Sequence, residues 1–509
     1  MKKKWIAGLL TVALSVSLLG CSSKGGNTPG GSEGVDGKGE TPGNTAEPYT
    51  VTLVLQGSQQ PEEERIEAKI NEILEPALNA KLDIVVLPWA SAAQQLQLML
   101  AGDEKIDIFY SNASNASQQM NSGQIMDMTE LVDKYGKNLK EIYGEDVLKG
   151  NSIGGFLYGV PNQIERGSIP AIFMRKDLVE KYNIDTAAIK TPQDMEKVFE
   201  IVKAGEPDMN MLYSNSLADP PMDRLFGGDN LSDNNLLGVL MDPANSTTIE
   251  NYYASDWYKE TAQMLYDWYK KGYISKDAGT ETENWRTVFK AGNVFSLFFS
   301  YHPGTPVEFK SSTGYDFEIV PFGEAPIVRS TSYNGVIFSM AQNSANPDKA
   351  IEVLDYIYGS PEVMNLLNWG EEGVDYVIED KDSGIINYPE GISADNAGYS
   401  LNLGWELPNQ FIAYKWTGSD PKLWDNMQSF NASGINSTAL GFLFDNKEYE
   451  NQIAALANVV SQYKGTIASG SGDPEIYIPQ FLEALEAAGI NDVIAAKQAQ
   501  FDQWLADNK

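Results

Sequence analysis

Residues able to do covalent or metal chemistry are scarce in this chain. Cys21 is its single cysteine and His302 its single histidine. One thiol makes neither a disulfide framework nor a thiolate metal cage, and one imidazole leaves out the zinc motifs that need two. Gly30-Gly31-Ser32-Glu33-Gly34 has the outline of a nucleophile elbow, but that elbow needs a strand before it and a helix after it. It lies instead within SSKGGNTPGGSEGVDGKGETPGNTAEP, residues 22–48, whose Gly, Ser, Thr, Pro and charge offer almost nothing to bury and read as a flexible tether. No P-loop or dinucleotide fingerprint is present. His302, just before Pro303-Gly304, reads as a turn residue. What remains is a binding repertoire rich in Trp, Tyr, Asn and Gln. Such residues suit sugars: flat rings meet C–H faces, and planar amides satisfy adjacent hydroxyls in pairs.

The elements that must carry these side chains follow from periodicity. YTVTLVL (49–55), KLDIVVLPW (81–89) and KIDIFY (105–110) have strand composition. Between the first two, Pro61 opens a predicted helix with Ile66, Ile70, Ile73 and Leu74 on one face, and 91–101 is a second predicted helix. This alternation predicts an α/β fold with a parallel sheet, in which ligands sit at the carboxyl ends of strands. Those ends carry Gln56, Trp89, Tyr110 and Asn112. Further on, a strand is expected near 169–174 and a helix from about 176. Thr191-Pro192-Gln193-Asp194 and Asn346-Pro347 are helix starts. NWRTVFKAGNVFSLFFSYHPG (284–304) reads as a helix entering an apolar strand that ends at Tyr301. The aromatic helix 256–272 reads as packing. Asp380 to Gly384 reads as a hairpin turn, with a calcium loop as the alternative, although EF-hand spacing is missing.

Lysine and arginine number 37 against 70 acidic residues, a net charge of −33. Nucleic acid is therefore excluded as a natural partner, since phosphate binding needs a basic face. At the N-terminus Lys2, Lys3 and Lys4 precede the apolar run Trp5 to Leu19, which is short for a membrane span. Leu18-Leu19-Gly20-Cys21 resembles the lipobox of bacterial lipoprotein signal peptides. That resemblance implies a signal peptide over 1–20, cleavage before Cys21, S-diacylglycerol and N-acyl groups on Cys21, and a tether over 21–48 leading from a cell membrane. The alternative is an ordinary secretory signal.

Four stretches carry a wider resemblance. They are Tyr158-Gly159-Val160-Pro161 with RKDL (175–178); FKAGNVFSLFF (289–299); ANPDKAIEVLDYIYGSPEVMNLLNWGEEGVDYVI (345–378); and LGFLFDNKEYENQIAALANVVSQY (440–463) with the final AAGINDVIAAKQAQFDQWLADNK (487–509). In their order and spacing the chain resembles the extracellular solute-binding proteins of bacterial ABC importers, family 1. The last two stretches are similar to the LipO-like subgroup, whose C-terminal region is catalogued as DUF3502. The resemblance implies a two-lobed periplasmic-binding-protein-like fold of type II with crossing hinge strands. One lobe would hold 49–165 and 334–368, the other 166–333 and 369–509, with hinges near Asn162–Ser168, Ser330–Asn334 and Trp369. A solute touching both lobes would couple binding to closure. Hinge and strand-end candidates are then Asn162, Gln163, Tyr301, Trp369 and Trp405, with Arg166 and Glu371 as the nearest charges. The resemblance implies a monomer feeding ABC permease subunits; the residues themselves single out no cofactor, metal or catalytic site, while solute-binding proteins sometimes hold calcium, which keeps the calcium-loop alternative open. Alternatives are a peptide, polyamine or other small solute in the same fold, or a surface glycoside hydrolase.

Overall fold

A computed structural model describes residues 47–102, 105–215, 220–281, 283–394 and 396–507. The expected signal peptide, Cys21 and all but the end of the tether lie outside the described residues. Two sheets, each with its own hydrophobic clusters, build a two-lobed α/β body.

The first sheet runs in the order Ala80–Pro88, Tyr49–Gly57, Ile108–Ser111, Ile337–Met340, Val160–Pro161. The first three strands are parallel, with Tyr49 opposite Ala80 and Gly57 opposite Pro88, and Val54 opposite Phe109. Ile337–Met340 returns antiparallel, placing Ile337 opposite both Ser111 and Pro161. One sheet edge thereby collects the residues after Leu55, Pro88, Phe109 and Pro161. The helix Glu63–Leu78 covers this sheet with Ile66, Ile70 and Leu74 buried, while Pro61 lies in the turn before it. Asn346 caps the helix Pro347–Gly359 through its side-chain oxygen, as the Asn-Pro start predicts.

The second sheet runs Phe317–Pro321, Ile169–Arg175, Val294–Tyr301, Asn210–Leu212. Ile169 pairs with Tyr301, so the start of one strand and the end of the other face the same edge. The aromatic helix Asp256–Lys270 buries Tyr258 and Trp268 behind this sheet. The last three helices, Glu450–Ala468, Pro474–Ala487 and Ile490–Asp507, join the same core through Leu456, Val460, Phe481, Val493 and Phe501.

The chain crosses between the sheets at 161–169 and at 328–337, where the first two hinges are expected. The third crossing is displaced from Trp369. Tyr399, Leu401, Leu403, Leu407 and Ala413 pack in the first lobe's core, and Tyr399 Oη donates to Leu367 O. The passage to the second lobe therefore falls between Ala413 and Ala439, which is buried in the other core. Burial of those apolar side chains is what keeps 399–413 on the first lobe. Val377–Asp380 and Ile385–Asn387 form the expected hairpin. Among the described residues no helix is long and apolar enough to cross a membrane, and no group of three His, Cys, Asp or Glu could hold a metal.

Candidate functional site

The carboxyl edge of the first sheet brings together residues far apart in sequence. Trp89 directly follows its strand and is 49% exposed, and Trp405 is 38% exposed. Their rings stack with centroids 5.9 Å apart and planes 22° from parallel. Tyr110, near the end of the third strand, meets Trp405 edge-on at 6.5 Å and 83°. Exposed indoles ordinarily carry a cost in water. Two of them held together at a strand edge make a flat apolar shelf suited to a ring with C–H faces.

Polar groups fix the shelf. Asn162 Nδ2 donates to the Trp405 carbonyl, and the Asn162 main-chain amide donates to Val336 O, so the first crossing is tied both to the Trp405 loop and to the second crossing. The Gln163 amide donates to Pro408 O, and the Gln410 amide returns a bond to Gln163 O. Beside the shelf, the Gln56 amide donates to Glu406 Oε1 at 2.8 Å. Glu406 is 0% exposed and its second oxygen has no hydrogen-bond partner in the structure. Burial pushes its carboxyl up to about 8, only partly opposed by the Gln56 amide. Burial and then the Glu406 charge raise the Tyr110 phenol, while Asn112 lowers it through a side-chain bond.

Across the crossing strands a cleft of 330 Å³ is lined by Asn162, Arg166, His302, Arg329, Thr331 and Ser332 among others. Arg166 lies over the Tyr333 ring at 4.2 Å, donates to Gln163 Oε1, and its amide donates to Asn431 Oδ1. Arg329 donates to Gly228 O, Phe226 O and Ser168 Oγ. His302 shapes the turn, its Nδ1 accepting from the Gly304 amide and its carbonyl from Thr305 Oγ1. Tyr301, on the second lobe, meets Phe430 edge-on at 6.0 Å.

Six sequence-predicted residues thus meet at the first lobe's edge: Gln56, Trp89, Tyr110, Asn112, Asn162 and Trp405. Asn112 also caps the helix Ala113–Asn121. Trp369 lies elsewhere: it is 8% exposed, donates to Tyr414 O and packs on Trp416 at 5.3 Å. Glu371 is spent on Arg65 and Lys69. Glu406 and Arg329 are the residues that sequence reasoning missed. Glu406 directly follows Trp405, but nothing local marks it among the acids.

The model for "Bacterial extracellular solute-binding protein" matches residues 60–364, and that for "Domain of unknown function (DUF3502)" matches 438–506. A "Carbohydrate ABC transporter substrate-binding protein" of Streptococcus pneumoniae serotype 4 is 27% identical over 100% of this chain and 99% of its own length. The "Polygalacturonan/rhamnogalacturonan-binding protein YtcQ" of Bacillus subtilis is 23% identical over 74% of this chain and 75% of its own length. Among solved structures, the N-glycan transport solute-binding protein NgtS of S. pneumoniae superposes with a TM-score of 0.80 at 24% identity, covering 91% of this chain and 100% of that one. NgtS has also been solved with Man1GlcNAc and with Man5GlcNAc.

Proposed function

Since the chain belongs to the bacterial extracellular solute-binding proteins, which lie outside the cytoplasm, we propose that it captures an oligosaccharide between its two lobes and delivers it to the permease of an ABC importer. The observation that carries this reading is the Trp89–Trp405 shelf, edged by Tyr110 and held by Asn162. Sugar rings stack on the shelf, and the crossing strands, by bending, bring the second lobe's Tyr301, His302 and Arg329 onto the same ligand. Relatives named for carbohydrate, polygalacturonan and N-glycan ligands support the substrate class. Cys21 carries the lipid, and the Gly- and Ser-rich tether lets the receptor move near its permease as a monomer. The role is capture without turnover, and Glu406 serves as a buried support beside Gln56.

A thermal-shift screen of Man5GlcNAc, galacturonan oligomers, polyamines and peptides tests this. An oligosaccharide should raise Tm, and the rise should keep growing with the logarithm of its concentration above Kd. A rise with a polyamine or peptide alone would overturn the carbohydrate reading.

A further inference from the structure

Beyond Arg329 the cleft opens into a second groove of 380 Å³, bordered by Asp223, Arg224, Asn230, Asn234, Arg329 and Lys464. Ser300, Arg329 and Thr331 line both spaces, so the two adjoin along these residues. The groove lies in the size range of small-molecule sites. Its polar groups are incompletely used. Asp223 Oδ1 and Asn230 Oδ1 are buried acceptors without a donor, as is Ser232 Oγ on the same loop. Buried acceptors left so are costly and are ordinarily satisfied by a partner. The other Asp223 oxygen pairs with Lys464 Nζ at 2.7 Å. The Lys464 ammonium, its side chain 18% exposed, is the donor this corner offers a sugar hydroxyl, while the free Asp223 oxygen is closed off from solvent behind it.

The wall of this groove is a loop held under strain. Leu231, Ser232 and Leu236 have φ of +53°, +64° and +55°, a left-handed conformation that side chains disfavour. Three anchors maintain it. Buried Asp229 accepts from the Ser330 amide and hydroxyl, each at 2.7 Å. Arg329 holds Gly228 O at 2.7 Å. Lys497 donates to Asp233 Oδ2, Leu237 O and Gly238 O at 3.0, 2.8 and 3.1 Å. Lys497 is 1% exposed and lies on the helix Ile490–Asp507, inside the region of unknown function. A lysine is rarely buried so fully without a structural task, and here its three donors all go to this loop. The loop also reaches the first lobe, since Ser114 Oγ donates to Ser232 O at 3.2 Å.

We propose that this groove is a second saccharide subsite, taking another ring of the oligosaccharide bound at the tryptophan shelf, and that Lys497 is the positioning residue through which the C-terminal region shapes it. The inference rests on the carbohydrate reading above and names where a longer chain gains its extra contacts.

The test is isothermal titration of the full chain with two size pairs, Man1GlcNAc against Man5GlcNAc and digalacturonate against tetragalacturonate. Wild-type protein should bind the longer member of at least one pair about tenfold tighter. Asn230→Ala and Lys497→Met should each bring that ratio close to one while leaving the short member's Kd unchanged, a pattern that general destabilisation would not produce. Short-member binding with no size advantage in wild type, or with an advantage that survives both variants, overturns the subsite and leaves the carbohydrate reading standing. Should Lys497→Met fail to fold, persistence of the advantage in Asn230→Ala alone overturns it. Absence of binding by all four sugars overturns the carbohydrate reading and the subsite with it.

Discussion

The indole rings of Trp89 and Trp405 stack 5.9 Å apart although a whole lobe separates them in sequence. Neither is buried in a core. Trp89 is placed by the end of a parallel strand, and Trp405 by a loop pinned through Asn162 and the Gln56–Glu406 bond. Each partner comes from a separate element, so the shelf forms only when the strands, the first crossing and the 399–413 segment are assembled together.

Trp369 separates packing from binding. Trp369→Ala empties a site against Trp416 and Ile386 and should destabilise the protein by about 3–5 kcal/mol. The folded fraction should keep its oligosaccharide Kd. A large loss of affinity in a variant still folded by circular dichroism would return Trp369 to the binding site.

Glu406 should make stability depend on pH. Its folded carboxyl is pushed up to about 8 by burial, whereas the unfolded chain ionises near the ordinary glutamate value. The folded state therefore holds more protons between those values, and stability falls as pH rises towards 8. Glu406→Gln removes this penalty. Urea unfolding from pH 4 to 9 should show the variant matching wild type at the acid end. It should gain on the order of a few kcal/mol relative to wild type near pH 8. Parallel profiles would contradict the assignment.

Asn162 ties a crossing strand to the shelf. Asn162→Ala removes the bond to the Trp405 carbonyl and should weaken oligosaccharide binding about fivefold, the worth of one hydrogen bond, chiefly through a faster off-rate. Surface plasmon resonance checks this, and unchanged kinetics would detach Asn162 from the shelf.

The proposed lipid anchor gives Cys21 a role in location alone. Cys21→Ala should move the protein from the membrane fraction into the medium with its solute affinity unchanged. Retention in the membrane fraction would contradict a lipid anchor at this residue, and a loss of affinity would contradict the separation of anchor and site.

The legible part of the site follows strand periodicity. Gln56, Trp89 and Tyr110 close apolar runs in a strand–helix alternation, and the parallel register carries them to one edge. Trp405 was visible as a candidate but not its lobe, because 399–413 is irregular, with its apolar residues following neither a helical nor a strand period. The same irregularity hid the late third crossing. Trp369 looked like a hinge platform, yet its indole finds a buried partner in Trp416, 47 positions later, which no local pattern announces. Glu406 was hidden among 70 acidic residues, since its singular environment comes from Gln56, 350 positions away.

The most direct test of the central claim is isothermal titration of wild type, Trp89→Ala and Trp405→Ala with the oligosaccharide that gives the largest thermal shift, the sugar being recovered afterwards for mass analysis. One intact sugar should bind per wild-type chain. Each variant should bind about 10- to 100-fold more weakly, the loss of one aromatic platform, with only a modest fall in Tm because both rings are part exposed and lie outside the cores. Equal affinities in all three proteins, or recovery of cleaved sugar, would contradict a receptor that holds its ligand on the Trp89–Trp405 shelf.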